Sequence, residues 1–194
     1  RSSDLTGYTY YDYDTFESPY PGGNDDWTER NSVDPVISSA TAYSGQYSLY
    51  MPTGWGRNFE GTIGEDGQTS GAGYDTNTYP YMCMAYKIPS GTDVNMLIYI
   101  LNVGWKSISM TQPEDQLTSY ALVGTWLPIN ADNNWQYKCI NLDHQLDDTL
   151  GTGTHTITAV IWHTGGGTYN TGPFYIDDFL IANMPPTKSV KDAG

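Results

Sequence analysis

Two acids stand side by side in an apolar run close to the C-terminal end, Gly172-Pro173-Phe174-Tyr175-Ile176-Asp177-Asp178-Phe179-Leu180-Ile181. Read as a strand, the run sends alternate side chains to opposite faces. Phe174, Ile176 and Leu180 then share the face of Asp178, and Tyr175, Phe179 and Ile181 share that of Asp177. Whichever face is the core receives one carboxylate. Burying a carboxylate is very costly, so the inward one requires a cation, a basic side chain or hydrogen-bond donors. The chain has only 8 Lys and Arg, which makes a bound metal a serious candidate. Carboxylate and carbonyl oxygens select Ca2+. A further acid, Glu17, lies beside an apolar residue in Asp14-Thr15-Phe16-Glu17-Ser18.

The other reactive side chains are few. Cys83 and Cys139 each sit in a strand-like run, Tyr81-Met82-Cys83-Met84-Ala85-Tyr86 and Trp135-Gln136-Tyr137-Lys138-Cys139-Ile140. In an oxidising compartment a bridge between two such strands is the natural reading; otherwise they pack as small buried thiols. His144, His155 and His163 lack the spacing of a His-Glu-x-x-His site. No Gly-x-Ser-x-Gly elbow occurs. Gly165-Gly166-Gly167-Thr168 lacks the Lys of a phosphate loop, and no local pattern singles out a glycosidase pair of acids. The expectation is a protein that is not an enzyme.

These residues must be positioned by strands. Short runs rich in Val, Ile, Thr, Tyr and Trp recur at 33–40, 46–51, 58–63, 79–88, 94–101, 105–111, 119–123, 135–142, 155–162 and 173–181. Gly, Pro, Asn and Asp separate them, and no long window holds a helical apolar period. The pattern predicts an all-β fold, a two-sheet antiparallel β-sandwich. The domain is expected over 16–184, after an N-terminal Tyr-rich arm or first strand (1–15) and before a C-terminal tail or linker (185–194). The net charge of −14 opposes nucleic-acid binding and docking on anionic lipid. The longest apolar stretch, residues 96–101, is too short to cross a bilayer as a helix.

Several of these residues occur in one order: Phe16-Glu17, Trp27, Ala42-Tyr43-Ser44-Gly45-Gln46-Tyr47-Ser48-Leu49, Trp135, and Phe174-Tyr175-Ile176-Asp177-Asp178-Phe179. That order resembles the calcium-containing β-jelly-roll carbohydrate-binding modules and their galactose-binding-domain-like relatives. The resemblance implies a jelly roll in which a structural Ca2+ joins the N-terminal segment, the small-residue turn and the last strand. Glu17 and Asp178 would supply carboxylates, and backbone oxygens near Thr15, Ser44 and Gln46 would complete the shell. It also implies a glycan ligand, held on rings that lie flat under pyranose faces. Trp55, Trp105, Tyr120, Trp126, Trp162 and Tyr169 are the ring candidates, at loops or strand ends. Trp27 and Trp135 match positions that look structural in that family.

Two functions follow. The first is a non-catalytic extracellular module that binds a polysaccharide or other glycan. The second is a structural subunit of an extracellular fibre or surface layer. There residues 1–15 would dock on a neighbouring copy and build a homo-oligomer or filament.

Overall fold

A computed structural model describes residues 9–17, 35–52, 73–111, 120–164 and 172–186. In chain order the strands begin with β1 (Tyr10–Asp14), β2 (Val36–Ser38), β3 (Ser48–Met51), β4 (Tyr74–Asp75), β5 (Tyr81–Lys87) and β6 (Asn95–Ile100). Then come β7 (Gly104–Ser109), β8 (Leu122–Thr125), β9 (Gln136–Asn141), helix α1 (Leu142–Leu150), β10 (Thr156–His163) and β11 (Phe174–Ala182). One sheet runs β2-β3-β11-β5-β9, with β1 also paired to β11; the other runs β4-β10-β6-β7-β8. This is the expected two-sheet sandwich. Among the described strands, the departure from antiparallel pairing is β7 with β8, which run parallel. The run at 58–63 lies outside the described residues.

The core sits between the sheets. Phe174, Ile176, Phe179 and Ile181 of β11 join Met82, Met84 and Tyr86 of β5 on one side. Met96, Ile98 and Ile100 of β6 and Val160 and Trp162 of β10 face them from the other. Each such side chain stabilises the fold by about 1.5–3 kcal/mol through apolar burial. Trp162 meets the Phe179 ring edge-on at 5.3 Å.

The strict alternation expected along β11 fails at one point. The register to β5 shifts between Asp177, opposite Ala85, and Leu180, opposite Cys83. Asp178 occupies this bulge with φ 44°. An extra residue flips the phase of everything after it. Phe174 and Ile176 therefore share the core face with Phe179 and Ile181, while Leu180 turns outward beside Cys83 and Ala182. Cys83 lies directly opposite Cys139 across β5 and β9, and the two form a disulfide.

Helix α1 was not foreshadowed by the strand pattern. Its signals are local. The Asn141 side chain caps the first turn by accepting from the His144 N–H at 3.0 Å, and Leu142 and Leu146 bury one face. Gln145 then acts as a surrogate strand. Its Oε1 accepts from the Thr125 N–H at 2.5 Å and its Nε2 donates to the Thr125 carbonyl at 3.1 Å. Thr149 donates to the Val123 carbonyl at 3.2 Å. The helix thus covers the outer edge of β8, which would otherwise be open to pairing with another chain.

Tyr10–Asp14 of the N-terminal stretch pairs with β11 of its own chain, with Tyr10 opposite Ala182 and Asp14 opposite Phe179. This part of the arm is a strand of the sandwich. Residues 1–8 and 187–194 lie outside the described set.

Candidate functional site

Three acids converge where the end of β1, the 39–47 turn and the middle of β11 meet. The chain leaves β1 through a tight turn in which Asp14 Oδ1 accepts from the Phe16 N–H at 2.8 Å. Phe16 has φ 55° and buries its ring, which sends Glu17 toward the turn. The turn links β2 to β3, and four of its backbone N–H groups point at carboxylates. Gln46 and Tyr47 donate to Glu17 Oε1 at 2.8 and 3.1 Å. Tyr43 and Ser44 donate to Asp177 Oδ2 at 2.8 and 3.2 Å. Gly45, at φ 61°, stands where any Cβ would overlap the Glu17 carboxylate. Such a nest of N–H groups is a natural anion cradle. Phe16 and Asp178 both hold positive φ here, and backbone strain of this kind clusters at functional sites.

Because of the bulge, Asp177 and Asp178 are both fully buried, not one inward and one outward. Asp177 is satisfied by backbone alone, since its Oδ1 also accepts from the Asp178 N–H at 2.8 Å. Burial, reinforced by the charge of Asp178, still pushes its carboxyl up to about 8 against those three donors. Asp178 Oδ1 accepts from the Ser44 hydroxyl at 3.0 Å. Its Oδ2 is buried and meets no hydrogen-bond donor among the described residues. Burial, with the nearby charge of Glu17 and against the Ser44 hydrogen bond, pushes Asp178 up to about 6.

The orphaned Oδ2 of Asp178 is what a divalent cation would relieve, whereas both Glu17 carboxylate oxygens already accept backbone N–H groups. Ser44 and Gln46 meet the acids through hydroxyl and N–H groups. Among the described residues no cluster of three His, Cys, Asp or Glu side chains is arranged to hold a metal. Any Ca2+ shell here therefore needs backbone or water oxygens, as the expected role of Thr15, Ser44 and Gln46 required.

The ring candidates separate sharply. Trp126 and Trp162 are 0% exposed and belong to the core between the sheets. Neither offers a face to a ligand, which corrects the expectation for both. Trp162 faces inward because it alternates with Ile161 and His163 along β10. Trp55 and Tyr169 lie outside the described residues. Ser107 of β7 is partnered by Leu122 of β8 in parallel, which puts Tyr120 toward the Trp105 end of that pair. Tyr120 is exposed. Tyr99, which sequence reading missed, stands opposite Trp105 and meets it edge-on at 5.3 Å. Tyr99 and Trp105 belong to the side of the second sheet turned away from the core, where Asn95, Ser107 and His163 are buried.

Solved structures share this architecture. A family 30 carbohydrate-binding module superposes with a TM-score of 0.51 at 14% identity, covering 83% of this chain and 80% of its own. A xylan-binding domain of family 22 gives 0.47 at 18% identity, covering 91% and 97%. A family 22 xylan-binding domain from Paenibacillus barcinonensis gives 0.47 at 14%, covering 92% and 97%. The fold is thus a two-sheet jelly roll. No family model matches the sequence, and no curated protein matches it. No helix among the described residues is long and apolar enough to cross a membrane.

Proposed function

We propose that this chain is a non-catalytic, extracellular glycan-binding module braced by one structural Ca2+. The observation that carries the reading is the contact of Tyr99 with Trp105 on the second sheet's outer face, with Tyr120 exposed toward the same end. Partly exposed rings there offer apolar faces to pyranose C–H groups. The Cys83–Cys139 disulfide suits an oxidising compartment. Glu17 and Asp178 would hold the ion. It would supply the positive charge that the buried acids lack and tie β1, the 39–47 turn and β11 together.

The test is retention on polysaccharide in native affinity gels. Xylan, named for one of the similar structures, is the first polymer to try, followed by other β-linked glucans and mannans. Trp105→Ala is expected to weaken binding by about tenfold or more, as for an aromatic anchor worth about 2 kcal/mol. Wild-type protein that passes every polymer unretarded, or a Trp105→Ala variant that binds as wild type, overturns the assignment.

A further inference from the structure

The outer face of the first sheet carries a second row of rings, on the opposite side of the sandwich from Trp105. Tyr50 of β3 is paired with Tyr175 of β11, and Tyr175 with Lys87 of β5. Tyr86 is paired with Gln136, so Lys87 in turn lies alongside Trp135. These four side chains form one rung across the strands. Their phase is outward, because Leu49, Met51, Tyr86, Phe174 and Ile176 point to the core.

The rung is linked ring to ring. Tyr50 and Tyr175 lie 5.0 Å apart at 43°, and Tyr175 and Trp135 lie 6.4 Å apart at 59°. All four side chains are partly exposed. Thr41 sits between the two polar tips: its Oγ1 accepts from Trp135 Nε1 at 2.9 Å and from Lys87 Nζ at 3.3 Å. Three strand spacings of about 4.8 Å make the rung about 14 Å across, long enough for a few pyranose rings. The tilted planes do not form one flat platform. They suit a single twisted glycan chain better than a crystalline surface.

Lys87 decides the chemistry. This chain carries 22 acids against 8 bases, yet among the described residues no carboxylate pairs with Lys87. A cation held between rings, in a protein of charge −14, is complementary to a carboxylate that the ligand brings. We infer that this rung is a second binding surface, for a glycan chain bearing uronate groups. Tyr50, Tyr175 and Trp135 would pack against sugar faces, with Lys87 donating to the uronate carboxylate.

The experiment is calorimetric titration with an oligomannuronate and with an oligosaccharide carrying glucuronate side groups, each before and after carboxyl reduction. It is run on wild type and on Trp105→Ala, which separates this surface from the one on the second sheet. Binding of at least one uronate is expected to persist in Trp105→Ala. It should fall about tenfold on carboxyl reduction or in Lys87→Gln, the loss typical of one charge-assisted hydrogen bond. Lys87→Arg should retain it and Tyr175→Ala should abolish it, with melting temperatures confirming that each variant is folded. The inference is overturned if neither uronate binds, if Trp105→Ala removes the binding, or if Lys87→Gln or carboxyl reduction leaves it unchanged.

Discussion

Replacing Asp178 with Asn separates the two things this residue does. Asn keeps the shape of the side chain and tolerates the φ of 44°, but it removes the charge. In wild type, an ion that binds the folded form alone adds stability as RT ln(1 + [Ca2+]/Kd), about 2.7 kcal/mol when calcium is a hundredfold above Kd. A domain of this size shifts by about 2–4 °C per kcal/mol, so wild type should melt about 5–11 °C higher in calcium than in chelator. The variant loses that response. It also no longer buries a charged oxygen without a donor at Oδ2, a penalty of about 1–3 kcal/mol. The order of stabilities should therefore invert: in calcium the wild type melts higher, and in chelator the variant does. Differential scanning calorimetry well above the Asp178 value of about 6 reads both. A wild-type melting temperature indifferent to chelation, or a variant that keeps the calcium response, would refute the reasoning.

Two further outcomes are expected. In chelator, Asp177 and Asp178 titrate at about 8 and about 6 when folded, against 3.8 for the ordinary carboxyl. Raised acids favour the folded state when protonated, so their contribution is present below about pH 4 and is lost as pH rises through 6 toward 8. Melting curves across that window should show the fall with chelator present and a smaller one with calcium; a rise with chelator would contradict it. Removing the disulfide in a Cys83→Ala, Cys139→Ala double variant frees a loop with a sequence separation of 56, which costs about 4 kcal/mol by chain entropy. Denaturant melts should show that loss, and a change below about 1 kcal/mol would indicate native strain or a compact unfolded state.

The elements that read clearly in the sequence are those governed by local pattern. Cys83 and Cys139 stood in two strand-like runs, and the strands turned out to be neighbours in direct register. Asp177-Asp178 announced a buried acid because no phase of a strand keeps both outside. Helix α1 was legible only in retrospect, through Asn141 as cap and Leu142 and Leu146 on one face. Its nine residues are too few to impose a period on a longer window. Trp126 and Trp162 were misjudged because a Trp at a strand end looks the same in sequence whether it faces the core or the solvent. Tyr99 was missed because nothing local marks a strand tyrosine as the neighbour of Trp105.

Composition and spacing alone determined a β-sandwich chain with acids that had to be neutralised in its last strand. Those properties follow from side-chain alternation and the cost of burying charge, which need no knowledge of what lies across the sheet. Tertiary structure decided the rest. One extra residue at Asp178 reversed the phase of β11 and brought Asp177 and Asp178 against the same turn. Strand order, which no single segment encodes, gathered Tyr99 with Trp105 on one face and Tyr50, Tyr175, Lys87 and Trp135 on the other.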